Sequence, residues 1–344
     1  MLRLLVLTLY MAVGFSQGDD TGEKSLPLNI RPSFAGTYGE LRSGRFHAGL
    51  DFRVGGVVGE PIYSIDDGYI SRITVSSTGY GNGLYISHPD GTTSIYGHMH
   101  EFAPEISAMV EKRQYESESF NVNIVLDSGE FPVVKGQYIG TVGNTGSSAA
   151  PHLHFEVRDR DGSGPINVIS AGYFKHEDDV PPVIQKVNFY SYEDSTGVVR
   201  SELIKSFKGG SSRVLKVSEK FYVAVDAHDR QSGTPGKLGL EAYEFFLDGK
   251  SVYRFKMGNY AYKEQETFNS LIDYRERVVS GDVMVKSYVE PGNGFKKQIT
   301  ASNGGIMSIT DDQLHNVKVV VEDLHGNKKI ATFDPYSEPI IAEF

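Results

Sequence analysis

Between residues 61 and 158 the chain alternates short apolar runs with turn-forming residues. The runs are PIYSI (61–65), GYISRITV (68–75), GLYISH (83–88), TTSIYGHM (92–99), VVKGQYIGTVG (133–143) and LHFEVR (153–158). Gly, Asn, Asp and Ser separate them at the spacing of an antiparallel β domain. One stretch breaks the period. Ile106, Met109 and Val110 recur at helical spacing within Ala103–Tyr115, which predicts one short helix, followed by a strand over Phe120–Leu126. The acidic, Pro-bearing HEDDVPP (176–182) marks a boundary, and beyond it strand-like runs resume at 183–192, 220–229, 241–255 and 316–333. The Asp-Gly of LDGK (247–250) predicts a hairpin turn, and Asp323–Asn327 a second tight turn. The expected fold is all-β, with a first unit over 27–176 and a second over 180–344.

Residues 1–18 carry a different pattern. Arg3 precedes a ten-residue apolar stretch, Leu4–Val13, and Gly14-Phe15-Ser16 offers small residues for cleavage, as in a secretory signal peptide. The stretch is shorter than the roughly 20 residues a membrane span needs. No later stretch approaches span length, so the expectation is an exported protein, periplasmic or secreted, with no integral span after signal cleavage.

Composition narrows the chemistry. With 34 Lys+Arg against 44 Asp+Glu, the net charge is −10, the opposite of a nucleic-acid binder's footprint. The chain has no Cys, which excludes disulfide scaffolds, Cys-ligated zinc, thiol catalysis and a lipidated Cys. The ten His then stand out, six of them between residues 47 and 154.

Three His patterns recur beside glycines. His47 and Asp51 in FHAGLDF stand four apart, and Gly49 permits the backbone curvature that brings both to one metal. In PHLHFEV, Leu153 and Phe155 would face a core while His152, His154 and Glu156 share the opposite strand face. In SIYGHMH, Ser94, Tyr96 and His98 share a face on the same argument. A catalytic zinc takes three N/O ligands and keeps one position open. His47, Asp51 and one of His152 or His154 supply that set, and the remaining imidazoles can move protons. The chemistry assembled is metal-assisted amide hydrolysis.

FHAGLD, YGHM and GNTGSSAAPHLHFEVRD, in this order and spacing, resemble the zinc metallopeptidases of the M23 (lysostaphin/LytM-type) family. The resemblance covers about residues 30–175, with matching context in DDGYI and KGQYIGTVGNTG. It implies a compact antiparallel β domain with one zinc ion per chain in a groove, held by His47, Asp51 and His154. His98 and His152 would flank the attacking water, one as base and shuttle, the other stabilising the oxyanion. Glu156, on the same face, is a candidate support for an imidazole, with a solvated strand carboxylate as the alternative. Peptidoglycan stem peptides are the substrate class the resemblance implies. A peptidase for Gly-rich proteins and a non-catalytic, groove-binding regulator of another wall hydrolase are the competing expectations. The segment 101–131 is longer than in the simplest family members and reads as an insertion able to narrow the groove. Ala149-Ala150 stand where many members have Thr-Gly, with no ligand lost. His88 and His100 have no place in the pattern and are expected at the surface.

The second unit resembles immunoglobulin-like β-sandwich modules, more loosely, with an insertion about 256–310. Its expected role is a platform for a protein or wall partner. Asp226, Asp229, Asp248 and Asp323 are oxygen donors of the kind calcium takes, in turn positions that acidic residues also occupy for local reasons.

Overall fold

The run GYISRITV becomes the strand Gly68–Val75, but its buried positions are Ile70, Ile73 and Val75 rather than a strict alternation. A bulge between Ile70 and Arg72, in the pairing with Gly83–Ser87, shifts the phase by one residue and turns Ile73 back to the core. In this computed structural model residues 24–338 are described, except 43, 174, 196, 197, 210–212, 234 and 235. The expected signal peptide lies outside the described residues.

The first unit is built on an antiparallel sheet in the order Phe34–Gly36, Leu50–Arg53, His152–Arg158, Thr93–Gly97, Gly83–Ser87, Gly68–Val75 and Val122–Val125, with Pro132–Val133 also pairing to Gly68–Val75. A three-stranded sheet of Pro61–Tyr63, Tyr138–Val142 and Met99–Phe102 packs against it. Leu50, Phe52, Tyr96, Met99, Ile139, Leu153 and Phe155 fill the space between, each almost fully buried. The expected helix is α1, Pro104–Ser117, which buries Ile106 and Val110 one turn apart and ends at Glu118 in the left-handed conformation.

The second unit places two sheets over one core. Leu203–Lys208, Val183–Ser191, Lys220–His228 and Val285–Lys286 form one, with Met307–Ser308 also pairing to Lys220–His228; Val214–Lys216, Lys328–Tyr336, Val317–Glu322, Ala242–Leu247, Lys250–Lys256 and Ile299–Ala301 form the other. Phe189 and Phe221 from the first sheet meet Phe245 and Phe333 from the second in one apolar cluster. Val214–Lys216 pairs in parallel with Lys328–Tyr336; the other pairings are antiparallel among the described residues. Between Lys256 and Ile299 run a 3-10 helix, Tyr262–Ser270, and the helix α2, Tyr274–Ser280.

The two units interlock. Phe46 belongs to the first unit, yet its ring sits 5.2 Å from those of Tyr260, Phe268 and Phe295 in the core of the second. The Tyr38 hydroxyl, also in that core, is shared between the carbonyls of Pro165 and Gly258, 3.1 Å from each. Gln231 clamps the other end, accepting from Phe34 N–H at 3.0 Å and donating to Pro32 O at 3.2 Å. Burying one Phe contributes about 1.5–3 kcal/mol, so Phe46 alone ties the units together substantially.

Candidate metal centre and catalytic groove

Strand His152–Arg158 is central, pairing with Leu50–Arg53 on one side and Thr93–Gly97 on the other. In that register His154 lies directly opposite both Asp51 and Gly97. Directly opposite residues project from the same face of a sheet with Cβ atoms about 5 Å apart, so pairing delivers Asp51 and His154 to one point. His47 arrives from the loop before Leu50. Gly49 lets that loop lie flat on the central strand, because a Cβ there would fall 2.2 Å from Phe155 O.

Three donor atoms converge. His47 Nε2 is 3.1 Å from His154 Nδ1 and 3.0 Å from Asp51 Oδ1, and His154 Nδ1 is 2.9 Å from Asp51 Oδ1. Ligands held tetrahedrally at zinc's 2.0–2.1 Å bond length stand about 3.3 Å apart. The observed triangle is that face, contracted by a few tenths of an ångström. The donors suit zinc in kind as well, with two imidazole nitrogens and one carboxylate oxygen. All three residues are buried.

Each imidazole is turned toward this centre by a partner on its far nitrogen, which also selects its tautomer. His47 Nδ1 donates to Thr37 O at 3.0 Å, and His154 Nε2 faces Glu156 Oε2 at 3.4 Å. His98 Nδ1 donates to Thr145 O at 2.8 Å, and His152 Nδ1 to Ala150 O at 2.8 Å. In the neutral rings the inward nitrogens then keep their lone pairs. His152 Nε2 lies 3.5 Å from Asp51 Oδ1, and the His98 and His152 rings are 4.8 Å apart.

Electrostatics follow from burial and these contacts. Burial would raise the Asp51 pKa, but His47 and hydrogen bonds from His152 and His154 outweigh it and hold the carboxyl well below its usual range. Burial lowers His47. Burial, with His152 and His154 close by, lowers His98 to about 4, so it is neutral at pH 7. His154 behaves oppositely. Burial would lower it, but hydrogen bonds to Asp51 and Glu156 outweigh that and raise it to about 9. The centre favours positive charge between Asp51 and Glu156, the place a divalent cation would neutralise.

His98 corrects the strand reading. It does not continue the face of Ser94 and Tyr96; its φ of 59° is left-handed and turns the chain from Thr93–Gly97 into Met99–Phe102. A buried, non-glycine residue in this region stores strain of about 1–3 kcal/mol, a recurrent feature of functional positions. Tyr96 points into the core instead, its hydroxyl accepting from Ile65 N–H. His88 is also corrected. It is 5% exposed, bonded to Asp67 O and to the Ser94 hydroxyl, and so is a structural core histidine. His100 is exposed as expected.

Glu156 is 1% exposed, far from a solvated strand carboxylate. Its Oε1 accepts from Tyr262 OH and from Arg158 Nε at 2.8 Å, and its Oε2 from Tyr80 OH at 2.5 Å. Burial would raise its pKa, but His154 and Arg158 outweigh that and bring it to about 2.

A cavity of about 390 Å³ opens on the centre, lined by His47, His98 and His154 with Arg42, Tyr80, Tyr262 and Gln265 among others. None of residues 101–131 lines it; Val122–Val125 sits at the far edge of the sheet. The second unit supplies that wall, through Tyr262 and through Gln265, whose Oε1 accepts from Phe46 N–H beside His47. Sequence reasoning missed Tyr262 and Gln265, which no local signal connects to a histidine a hundred or more residues away. It also missed Arg42, 2.6 Å from Asp51 Oδ2.

The model of the family described as "Peptidase family M23" matches residues 45–121 and 121–167. A DD-carboxypeptidase/endopeptidase of Neisseria meningitidis is 30% identical over 130 residues, 38% of this chain and 24% of that protein. The cell division protein DipM of Caulobacter vibrioides is 28% identical over 138 residues, 40% of this chain and 19% of that protein. The matches thus span about a quarter or less of those relatives. Among solved structures, the catalytic domain of lysostaphin from Staphylococcus simulans is 25% identical, covering 40% of this chain and 89% of that one at a TM-score of 0.29.

Proposed function

We propose that the protein, whose residues 45–121 and 121–167 match the model of peptidase family M23, is an exported zinc metalloendopeptidase that hydrolyses peptide cross-links of cell-wall peptidoglycan. The observation that carries this reading is the triangle of His47 Nε2, Asp51 Oδ1 and His154 Nδ1, with the free nitrogens of His98 and His152 beside it. A relative named as an endopeptidase supports the reaction class.

Zinc held by His47, Asp51 and His154 would supply Lewis acidity and lower the pKa of water at the site. The protein's own residues do the rest. Asp51 balances the charge. Glu156 and Thr37 fix the two ligand rings. His98, held neutral, can accept a proton from the attacking water and return it to the departing amine. His152, with its Nδ1–H held by Ala150 O, can donate to the carbonyl oxygen as negative charge develops there once its inward Nε2 is protonated. The second unit, read as an immunoglobulin-like sandwich, serves as a platform for a wall or protein partner.

The test is a digest of purified sacculi by the mature protein, with and without chelator, the fragments read by mass. Chelator-sensitive conversion of cross-linked dimers to monomers is the expected result. No release by protein shown to carry one zinc per chain would overturn this reading in favour of a regulatory one.

A further inference from the structure

A second convergence of ligating groups lies away from the histidines, where the two units join. Asp178 is on the connecting segment, Asp229 follows strand Lys220–His228, and Asp323 follows strand Val317–Glu322. One carboxylate oxygen from each lies within 4.8 Å of the other two. Only two of the four carboxylates singled out in the sequence, Asp229 and Asp323, take part, and the third member comes from the linker.

The environment is wrong for three bare carboxylates. Asp229 is 4% exposed and Asp323 1% exposed. None of the three is in an ion pair among the described residues. Asp323 is held by the N–H groups of His325 and Asn327 on Oδ1 and by Asn327 Nδ2 on Oδ2, and Asp178 Oδ1 accepts from Val180 N–H. Asp229 Oδ1 has no hydrogen-bond partner, although it is buried and its carboxylate belongs to the cluster. The carboxylate has the Arg230 N–H as a partner, but Oδ1 is left bare, and a bare buried carboxylate oxygen favours a proton or a cation.

We propose that Asp178, Asp229 and Asp323 bind one calcium ion at the junction of the two units. The donors are all hard oxygens, which select calcium or magnesium over zinc. Three protein carboxylates on one ion suit calcium, which takes about 6–8 oxygen ligands, whereas magnesium keeps several waters and usually takes one or two carboxylates. The ion would tie the linker to two loops of the sandwich. Beside it, Asn327 Nδ2 already donates to Asp178 O, and His176 Nδ1 lies in hydrogen-bond contact with His325 Nε2 at 2.8 Å. Its role would be to stiffen the connection that holds the second unit against the groove.

The test uses the full mature chain, zinc-loaded. Calcium and zinc per chain are measured after equilibrium dialysis, and thermal midpoints are read with calcium, with magnesium and with neither. Wild type is expected to bind one calcium and to gain midpoint with calcium more than with magnesium. Asp229→Asn should lose the calcium and the gain while keeping its zinc. Asp178→Asn, on the half-buried linker, serves as a second variant with less risk to folding, and should behave the same way. The proposal is overturned if wild type binds no calcium, if both variants keep it, or if magnesium acts equally.

Discussion

Tyr262→Phe isolates the contribution of the second unit to the metal centre. The substitution removes one hydroxyl and leaves the ring in place. Glu156 Oε1 then keeps only Arg158, and at 1% exposure water cannot replace the lost donor. A hydrogen bond to a buried charge is worth about 1.5–3 kcal/mol, so the chelated protein should lose about 2 kcal/mol in urea unfolding. Glu156 in turn orients His154 through Nε2. Changing partners of that kind costs about 10–100-fold in metal affinity. Tyr262 acts one step further out, so a loss of about 10-fold is expected, read by competition with a chromophoric chelator. A double-mutant cycle with Glu156→Gln should show coupling of about 1 kcal/mol or more. If Tyr262→Phe changes neither zinc affinity nor stability and shows no coupling to Glu156, the contact does not act on the centre and the argument fails.

Other predictions follow from the same geometry. His154→Ala should lose zinc and activity together, whereas His98→Ala should keep zinc and lose turnover; a metal-free His98→Ala protein would refute its assignment as a proton carrier. A fragment ending at His176 would expose Phe46 and Tyr38, so aggregation or a broad, non-cooperative melt is expected, and a sharp melt with one zinc bound would show that the first unit stands alone. Glu241 is 7% exposed at the junction, 3.4 Å from Asn167 Nδ2, and burial raises its pKa from 4.5 to about 7. An acid with a raised folded-state pKa loses stability as pH rises from about 4.5 through 7, here by about 3 kcal/mol. Glu241→Gln should flatten that slope in urea titrations at pH 5 and pH 8; an unchanged slope would place the titration elsewhere.

The sequence by itself determined the elements and the ligand types. Period-two runs fell where strands formed, because a half-buried strand must alternate, and α1 was legible because Ile106 and Val110 stand one helical turn apart. His152, His154 and Glu156 on one face followed from the same period. His47 and Asp51 came from local spacing, and the shared role proposed for them with His154 from family resemblance. Only tertiary structure decided what lay outside one strand's period. Pairing register set Asp51 opposite His154, and a left-handed turn at His98 displaced it from the face that alternation assigned. Burial turned Glu156 from a surface carboxylate into the hub of a buried network, and His88 into a core residue. The groove wall at Tyr262 and Gln265, and the meeting of Asp178 with Asp229 and Asp323, depend on packing between segments 50 or more residues apart. No local pattern encodes such contacts, because their chemistry resides in neither segment until the fold brings the two together.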